Sequence, residues 1–256
     1  MRIIILIILS LVSKEIFAQN IFTYLNYNEP FDVRSNFPIK EIVQVTTFFS
    51  SKGDNEIVKS SYTLNNKNRM LTEWRVNETT GQSFNFENTY LYDTLLIAKK
   101  SEVKHRSFPK EIRISHYILE NSGKVIAVIK TNLKGDTLER INFILNEQKL
   151  PVLLKVNDGE MGYETAEYDY FKNTVVTKVY DKNGNLKGGN QGIINRHEKS
   201  EDRTYDSFGN LIKNKNQVFE LKYDKYGNWI KKIRFELKGN DKIERAVITR
   251  KITYRK

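Results

Sequence analysis

The sequence contains no cysteine, which excludes disulfide bridges and zinc sites built on thiolates. Histidine is also scarce: the chain has three, and they are scattered through 256 residues. A metal site based on histidine would therefore need carboxylate ligands as well. No phosphate-binding loop or dinucleotide fingerprint occurs either. We expect a protein without metal or cofactor, stabilised by strand pairing and a packed core.

Long apolar runs are also absent, with one exception at the N-terminus. Ile3 to Val12 is apolar except for one serine, follows an arginine, and is followed by charged residues. A basic start, an apolar run of about ten residues and a small residue at Ala18 are typical of a secretory signal. A membrane span needs about 20 apolar residues. We interpret residues 1–18 as a signal peptide cleaved before Gln19, and we expect an exported protein, periplasmic or extracellular, with no span after cleavage.

The charge of the chain is strongly positive. Lysine and arginine total 42 against 31 acidic residues, which gives a formal net charge of +11. The predicted signal contains Arg2, Lys14 and Glu15, so its removal leaves +10. A basic protein favours anionic partners, and we expect either a protein or an anionic polymer of the cell envelope. The alternative interpretation is that the charge only keeps the protein soluble. Nothing in the sequence indicates specific nucleic-acid binding.

Apolar and polar residues alternate over many short stretches, which is the pattern of half-buried strands. The clearest runs are Trp229 to Leu237 and Glu244 to Tyr254, and the turn signal Lys238-Gly239-Asn240-Asp241 lies between them. These runs predict a C-terminal hairpin. Continuous helical periodicity is absent after residue 20. We predict an all-β fold, an antiparallel meander of hairpins that forms a twisted open sheet or a half-barrel.

A polar residue, two variable residues and a glycine recur along the chain. An Asp, Asn or Ser in the first position can accept a backbone hydrogen bond from two residues on, and a glycine in the fourth takes positive φ without strain. Such turns join antiparallel strands. They occur at Ser50–Gly53, Glu78–Gly81, Glu120–Gly123, Asn132–Gly135, Asp181–Gly184, Asp206–Gly209 and Asp224–Gly227. Residues 187–203 are richer in glycine and charge, and we predict a long, mobile hairpin loop there.

Three of these turns share the longer pattern Tyr-Asp-x-x-Gly-Asn followed by an apolar residue. Its residues are Tyr180, Asp181, Gly184 and Asn185, then Tyr205, Asp206, Gly209 and Asn210, then Tyr223, Asp224, Gly227 and Asn228. The pattern resembles the YD repeat of the RHS (rearrangement hot spot) family and covers about residues 174–240. The resemblance implies strand–turn–strand structure. Large RHS proteins wrap a cargo in a β-shell of many repeats, and three repeats cannot close such a shell, so cargo delivery does not carry over.

These signals divide the chain into three parts. They are the signal peptide at 1–18, an N-terminal antiparallel β region at 19–173, and a YD-repeat-like hairpin region at 174–256 that continues the preceding sheet.

The basic C-terminal hairpin is the candidate surface for an anionic partner. Lys232, Arg234, Arg245, Lys251 and Arg255 fall on its charged faces. The alternative interpretation is that these charges protect an exposed edge strand from aggregation.

We predict an exported, non-enzymatic protein with a binding or structural role in the bacterial envelope or outside the cell. No residue is assigned a catalytic role. Two alternatives stay open at this point. A curled sheet could carry a lipid or another apolar ligand in the periplasm. A hydrolase could use two facing carboxylates, such as Glu164 or Glu167 with a partner from elsewhere in the chain; in a strand these two would point to opposite faces.

Overall fold

The computed structural model describes residues 20–25, 31, 33, 37–50, 53–105, 108–194, 203–239 and 241–255. The predicted signal peptide, residues 1–18, lies outside them. Seventeen strands form one open antiparallel sheet, which confirms the all-β antiparallel fold predicted from the sequence. No helix in the described ranges is long and apolar enough to cross a membrane.

The elements follow each other almost entirely as hairpins. They are α1 Asn20–Leu25, β1 Ile39–Phe48, β2 Glu56–Leu64, β3 Met70–Asn77, β4 Ser83–Leu91, β5 Leu95–His105, β6 Phe108–Leu119, β7 Val125–Thr131, β8 Thr137–Leu145, β9 Pro151–Val156, a 3₁₀ turn at Asn157–Gly159, β10 Tyr163–Asp169, β11 Thr174–Tyr180, β12 Leu186–Ile193, β13 Thr204–Tyr205, β14 Leu211–Lys213, β15 Gln217–Tyr223, β16 Trp229–Lys238 and β17 Asp241–Tyr254.

The chain divides into two compact units. The first unit comprises Met1–Tyr27 and Ser115–Glu198, and the second comprises Asn28–Ile114 and Lys199–Lys256. The boundary between Ile114 and Ser115 falls inside β6.

In the first unit, strands β7 to β12 pair in chain order, and helix α1 covers one face of them. The buried core consists of Ile21, Tyr24, Val125, Val128, Ile141, Leu154, Val156, Ala166 and Val175. Ile21 is fully buried although it lies only two residues after the predicted cleavage point. Helix α1 was not predicted from the sequence, because six residues are too few to show helical periodicity.

The predicted loop at 187–203 is wrong in its first part. Leu186–Ile193 is the strand β12, paired with β11 along its length. Gly192 serves packing, because a Cβ atom there would overlap the ring of Phe22 in α1. Sequence alone assigned the glycines of β12 to a loop because no helix was expected above them. Residues 195–202 lie outside the described part of the chain.

In the second unit, β1 pairs with β2 on one side and with β17 on the other. Pairing continues from β2 to β5 in one direction and from β17 back to β13 in the other. The predicted C-terminal hairpin is confirmed as β16 and β17. A small buried cluster of Ile39, Ile42, Tyr62 and Leu64 lies at one end of β1 and β2.

One turn geometry closes seven of the hairpins in the described residues. The first residue donates its N–H to the carbonyl of the fifth, and the fourth donates its N–H to the carbonyl of the first. The turns begin at Asn65, Glu120, Asn132, Asn146, Asp181, Asp206 and Asp224. In six of them the first side chain is Asn or Asp and its oxygen accepts further backbone N–H groups.

The fourth residue of each turn has positive φ, as the glycine pattern implied. Gly184, Gly209 and Gly227 have φ of 82°, 73° and 81°. The same position is held by Asn68 and Lys149 in two turns, with φ of 54° and 61°. Those two turns were missed by sequence reasoning because they lack the glycine.

The Tyr-Asp heptads add a link between successive hairpins. Tyr223 donates its hydroxyl hydrogen to Asp206 and accepts a hydrogen bond from Asn210 Nδ2 at 3.0 Å. In the next repeat, Tyr254 bonds Asp224 and Asn228 in the same way. The Tyr of a later strand therefore holds the turn of the preceding hairpin.

The first heptad lacks this tyrosine. Asp181 instead pairs with Lys187 Nζ at 2.9 Å and accepts a hydrogen bond from Asn185 Nδ2 at 3.0 Å. These contacts, led by Lys187, hold the pKa of Asp181 far below its usual range. For Tyr254, burial and the neighbouring Asp224 raise the pKa well above its usual value.

Replacing Gly227 by Ala tests the left-handed turn position. The variant should lose about 1 kcal/mol of unfolding free energy, because a Cβ atom is strained at positive φ. The matched control is Gly188→Ala, in a strand with open space around it, where we expect a change within about 0.5 kcal/mol. Chemical denaturation of both variants gives the comparison, and equal stabilities would contradict the turn assignment.

Replacing Tyr254 by Phe tests the link between hairpins. Loss of the hydroxyl leaves Asp224 and Asn228 without their shared partner, and we expect a loss of about 1 kcal/mol. Tyr92→Phe is the control, because its side chain is 82% exposed at a hairpin tip. If thermal melting of the two variants is indistinguishable, the link contributes nothing to stability.

Candidate functional site

One face of the second unit gathers cations from strands that are distant in sequence. Register places Arg250 opposite Gln44, Gln44 opposite Ser60, Ser60 opposite Arg75, and Arg75 opposite Phe84. Because directly paired side chains point to the same side of a sheet, these five share one face.

Three further cations extend this face. Lys232 pairs with Ile248 and Arg234 with Ala246, and both partners lie on the Arg250 side of β17. Lys99 pairs with Asn88 on the Phe84 side of β4. We call Arg75, Lys99, Lys232, Arg234 and Arg250 the cationic face.

Aromatic rings are interleaved with these cations. Lys99 Nζ lies 4.3 Å from the ring centroid of Phe86, and Arg250 Cζ lies 3.3 Å from that of Trp229. Lys232 Nζ lies 4.9 Å from the ring of Phe219 and 5.6 Å from Trp229. Such contacts hold a long side chain in place through the ring quadrupole while the ring adds no opposing net charge. The face therefore presents ordered positive charge.

A buried acid balances part of this charge. Glu73 is 6% exposed and bonds the Arg75 guanidinium. Burial lowers the pKa of Lys99, with Glu73 acting against the shift and Arg75 adding to it. The three groups together carry more positive than negative charge when all are ionised.

The first pocket lies on this face and spans β1 to β4. It has a volume of about 380 Å³. Its lining combines amide, hydroxyl, charged and apolar groups: Gln44, Thr46, Phe48, Glu56, Val58, Ser60, Tyr62, Arg75, Asn77, Gln82 and Phe84. Both hydrogen-bond donors and acceptors are available beside a small apolar patch.

The second pocket lies on β15 to β17 and has a volume of about 330 Å³. Arg234, Arg245 and Glu236 line it together with Asn216 and Gln217. Arg245 bonds Glu236 Oε2 at 2.6 Å, whereas Arg234 Nε is buried with no hydrogen-bond partner in the described residues. An unpaired guanidinium N–H is a strong donor for an anionic oxygen.

The structure brings together only some of the residues predicted from the basic C-terminal hairpin. Lys232 and Arg234 lie on the cationic face, and Arg245 joins Arg234 in the second pocket. Lys251 lies on the opposite face, because it pairs with Val43. Arg255 follows the end of β17 and donates to the Leu64 carbonyl.

Sequence reasoning missed Arg75, Lys99 and Arg250 as members of the face. They come from β3, β5 and β17, and only the pairing register places them together. No local motif connects them in the sequence.

Glu164 and Glu167, each a candidate carboxylate for a hydrolase, lie on opposite faces of β10, as predicted for a strand. Glu164 is 2% exposed, beneath helix α1, and its Oε2 accepts the Ile21 N–H at 3.1 Å. Glu167 is exposed on the other face of β10 and pairs with Lys178 Nζ at 3.0 Å. Glu164 Oε1 has no hydrogen-bond partner in the described residues, and the nearby Thr177 hydroxyl also lacks one. Burial raises the pKa of Glu164, and the Ile21 N–H opposes this shift in part.

Comparison with known proteins gives little further information. No protein-family model matches the chain, and no curated protein sequence matches it. A porin-like protein from Bacteroides uniformis is similar in structure over 88% of this chain and all of that one, with 10% identity and a TM-score of 0.41. The Photorhabdus luminescens Tc holotoxin pore matches over 72% of this chain and 13% of its own, with 11% identity and a TM-score of 0.24. Both likenesses are too distant to carry an argument about function.

Replacing Glu164 by Gln tests its buried state. A carboxyl group whose pKa is raised by folding destabilises the folded protein as the pH rises from the unfolded pKa of the group, about 4.3, through its folded pKa. The glutamine variant has no such destabilisation. Its stability relative to the parent should therefore increase as the pH rises above about 4.3.

The control for this experiment is Glu167→Gln, which removes an exposed carboxylate from the same strand. We expect its stability to stay within about 0.5 kcal/mol of the parent. Urea denaturation at each pH measures both variants. A difference between Glu164→Gln and the parent that does not change with pH would contradict the assignment.

Proposed function

We propose that this protein is an exported, non-enzymatic binding protein whose cationic face holds an anionic partner in the periplasm or outside the cell. The observation that carries the proposal is the clustering of five cations on one face of the second unit, four of them against aromatic rings. Two pockets with polar linings on the same face support it.

The positive field of the face would guide an anionic partner to it. Ordered cations raise the local concentration of counter-charged ligands, and the effect weakens with salt. The cations are already held by rings and by neighbouring strands, so less side-chain entropy is lost on binding.

The YD-repeat-like turns have a structural role in this proposal. They support a relationship to RHS-type repeat proteins at the level of hairpin architecture, because Asp206 and Asp224 are each held by the tyrosine of a later strand. The first heptad departs from this arrangement at Asp181.

Neither alternative gains support. Both pockets of the cationic face have mainly polar linings, which does not favour an apolar cargo. Glu164 is buried beneath α1 and Glu167 is paired with Lys178, which does not favour either residue as half of a hydrolase site.

Replacing Lys232 by Gln tests the cationic face. We expect affinity for at least one of three polyanions (polyglutamate, polyphosphate or polygalacturonate) to fall about two- to fivefold, the range of one partly exposed charge pair. The matched control Lys251→Gln removes the same charge from the opposite face and should bind as the parent does. Affinity should also collapse in about 1 M salt, where the screening length is about 3 Å.

Fluorescence anisotropy with labelled polymers measures all three proteins. Equal losses in Lys232→Gln and Lys251→Gln would mean that net charge, not this face, governs binding. Binding that is unchanged in high salt would exclude the electrostatic mechanism.

A further inference from the structure

We infer that the partner of the cationic face is an extended acidic polypeptide that crosses the strands, with one carboxylate at Arg234 and one apolar side chain in the first pocket. The inference rests on the proposed function and names the chemistry of the ligand.

The cations are distributed across strands instead of along one strand. Lys232 and Arg234 lie on β16, Arg250 on β17, Arg75 on β3 and Lys99 on β5. Pairing leads from β16 through β17, β1, β2, β3 and β4 to β5, which is six steps of about 4.8 Å, or about 29 Å. A ligand that meets all of them must cross the strands. Arg234 and Lys99 are also each offset by four residues along the strands, to opposite sides of the row that joins Arg250 to Phe84, which adds about 26 Å in the strand direction. The diagonal between them is about 39 Å, and an extended chain that advances about 3.3–3.6 Å per residue covers it with about twelve residues.

Arg234 provides the sharpest evidence for a carboxylate. Its Nε is buried and has no hydrogen-bond partner among the described residues, although Arg245 beside it is paired with Glu236. Leaving a buried guanidinium N–H without a hydrogen-bond acceptor costs free energy, and a carboxylate matches the fork geometry of the guanidinium group. The second pocket leaves about 330 Å³ beside it for such a ligand.

The first pocket favours a polypeptide over other polyanions. Gln82 offers both amide donors and an amide acceptor, which match the N–H and C=O groups of a peptide, whereas the Asn77 amide is bonded to Glu56 and to the backbone of its own turn. Phe48, Val58 and Phe84 add an apolar patch suited to one apolar side chain. A polyphosphate has only acceptors and no apolar group, and a carboxylated glycan has no apolar side chain.

The test uses twelve-residue peptides with glutamate at alternate positions and either Leu or Gly near the centre, titrated into the full chain. The Leu peptide should bind at least about tenfold more tightly than the Gly peptide, because a buried Leu side chain contributes roughly 1.5–3 kcal/mol. Polyphosphate and polygalacturonate of matched charge should bind more weakly than the Leu peptide.

Variants locate the contacts. Phe84→Ala and the gentler Val58→Thr should each reduce the preference for Leu, while Asn85→Ala on the opposite face of β4 should leave it unchanged. Arg234→Gln should weaken both peptides to a similar extent. Circular dichroism and thermal melting show which variants fold, and Val58→Thr keeps the test valid if Phe84→Ala does not fold.

Four outcomes overturn the inference. Equal affinity for the Leu and Gly peptides, or a Leu preference that survives in Val58→Thr and Phe84→Ala, removes the apolar contact. Tighter binding of polyphosphate or polygalacturonate than of the Leu peptide removes the polypeptide while the proposed function stands. If no polyanion binds, the proposed function fails together with the inference.

Discussion

The rest of the structure depends on one local interaction, in which an Asn or Asp side chain closes a hairpin turn. Its oxygen accepts N–H groups from the third and fifth residues, and the backbone carbonyl of the same residue accepts the N–H of the fourth. The turn satisfies polar backbone groups that strand pairing cannot reach, and it requires a left-handed fourth residue. Because the turn fixes which residues oppose each other, it also fixes the register of both strands.

Register in turn determines what each face of the sheet presents. In the second unit it aligns Arg75, Lys99 and Arg250 with the basic residues of β16, although up to 175 positions separate them along the chain. A shift of one residue would move a strand's cations to the other face. In the first unit the corresponding constraint produces an apolar face, and helix α1 covers it, with Ile21 and Tyr24 in the core. Glu164 lies in that covered face, bonded to the Ile21 N–H.

The hairpins could be predicted from the sequence, whereas the cationic face could not. Alternation and the Asp-x-x-Gly signals predicted the strands and the turns at Asp206 and Asp224, because both depend on neighbouring residues. The turns with Asn68 and Lys149 in the fourth position were not predicted, because these two residues adopt the positive φ for which the pattern requires a glycine. Helix α1 and strand β12 were both missed. The glycine at position 192 of β12 is explained only by the ring of Phe22, which packs against it from α1. Arg250 and Lys251 are adjacent in sequence and lie on opposite faces, a distinction that only the pairing partner reveals.

The most direct test of the account compares Gly and Ala at position 149, the fourth residue of the turn that begins at Asn146. Both variants lose the contact of Lys149 with Glu120, so their difference isolates the backbone. With φ near 61° at this position, Lys149→Gly should unfold with a free energy about 1 kcal/mol higher than that of Lys149→Ala. Equal stabilities, or a less stable glycine variant, would contradict the claim that a left-handed residue closes these hairpins.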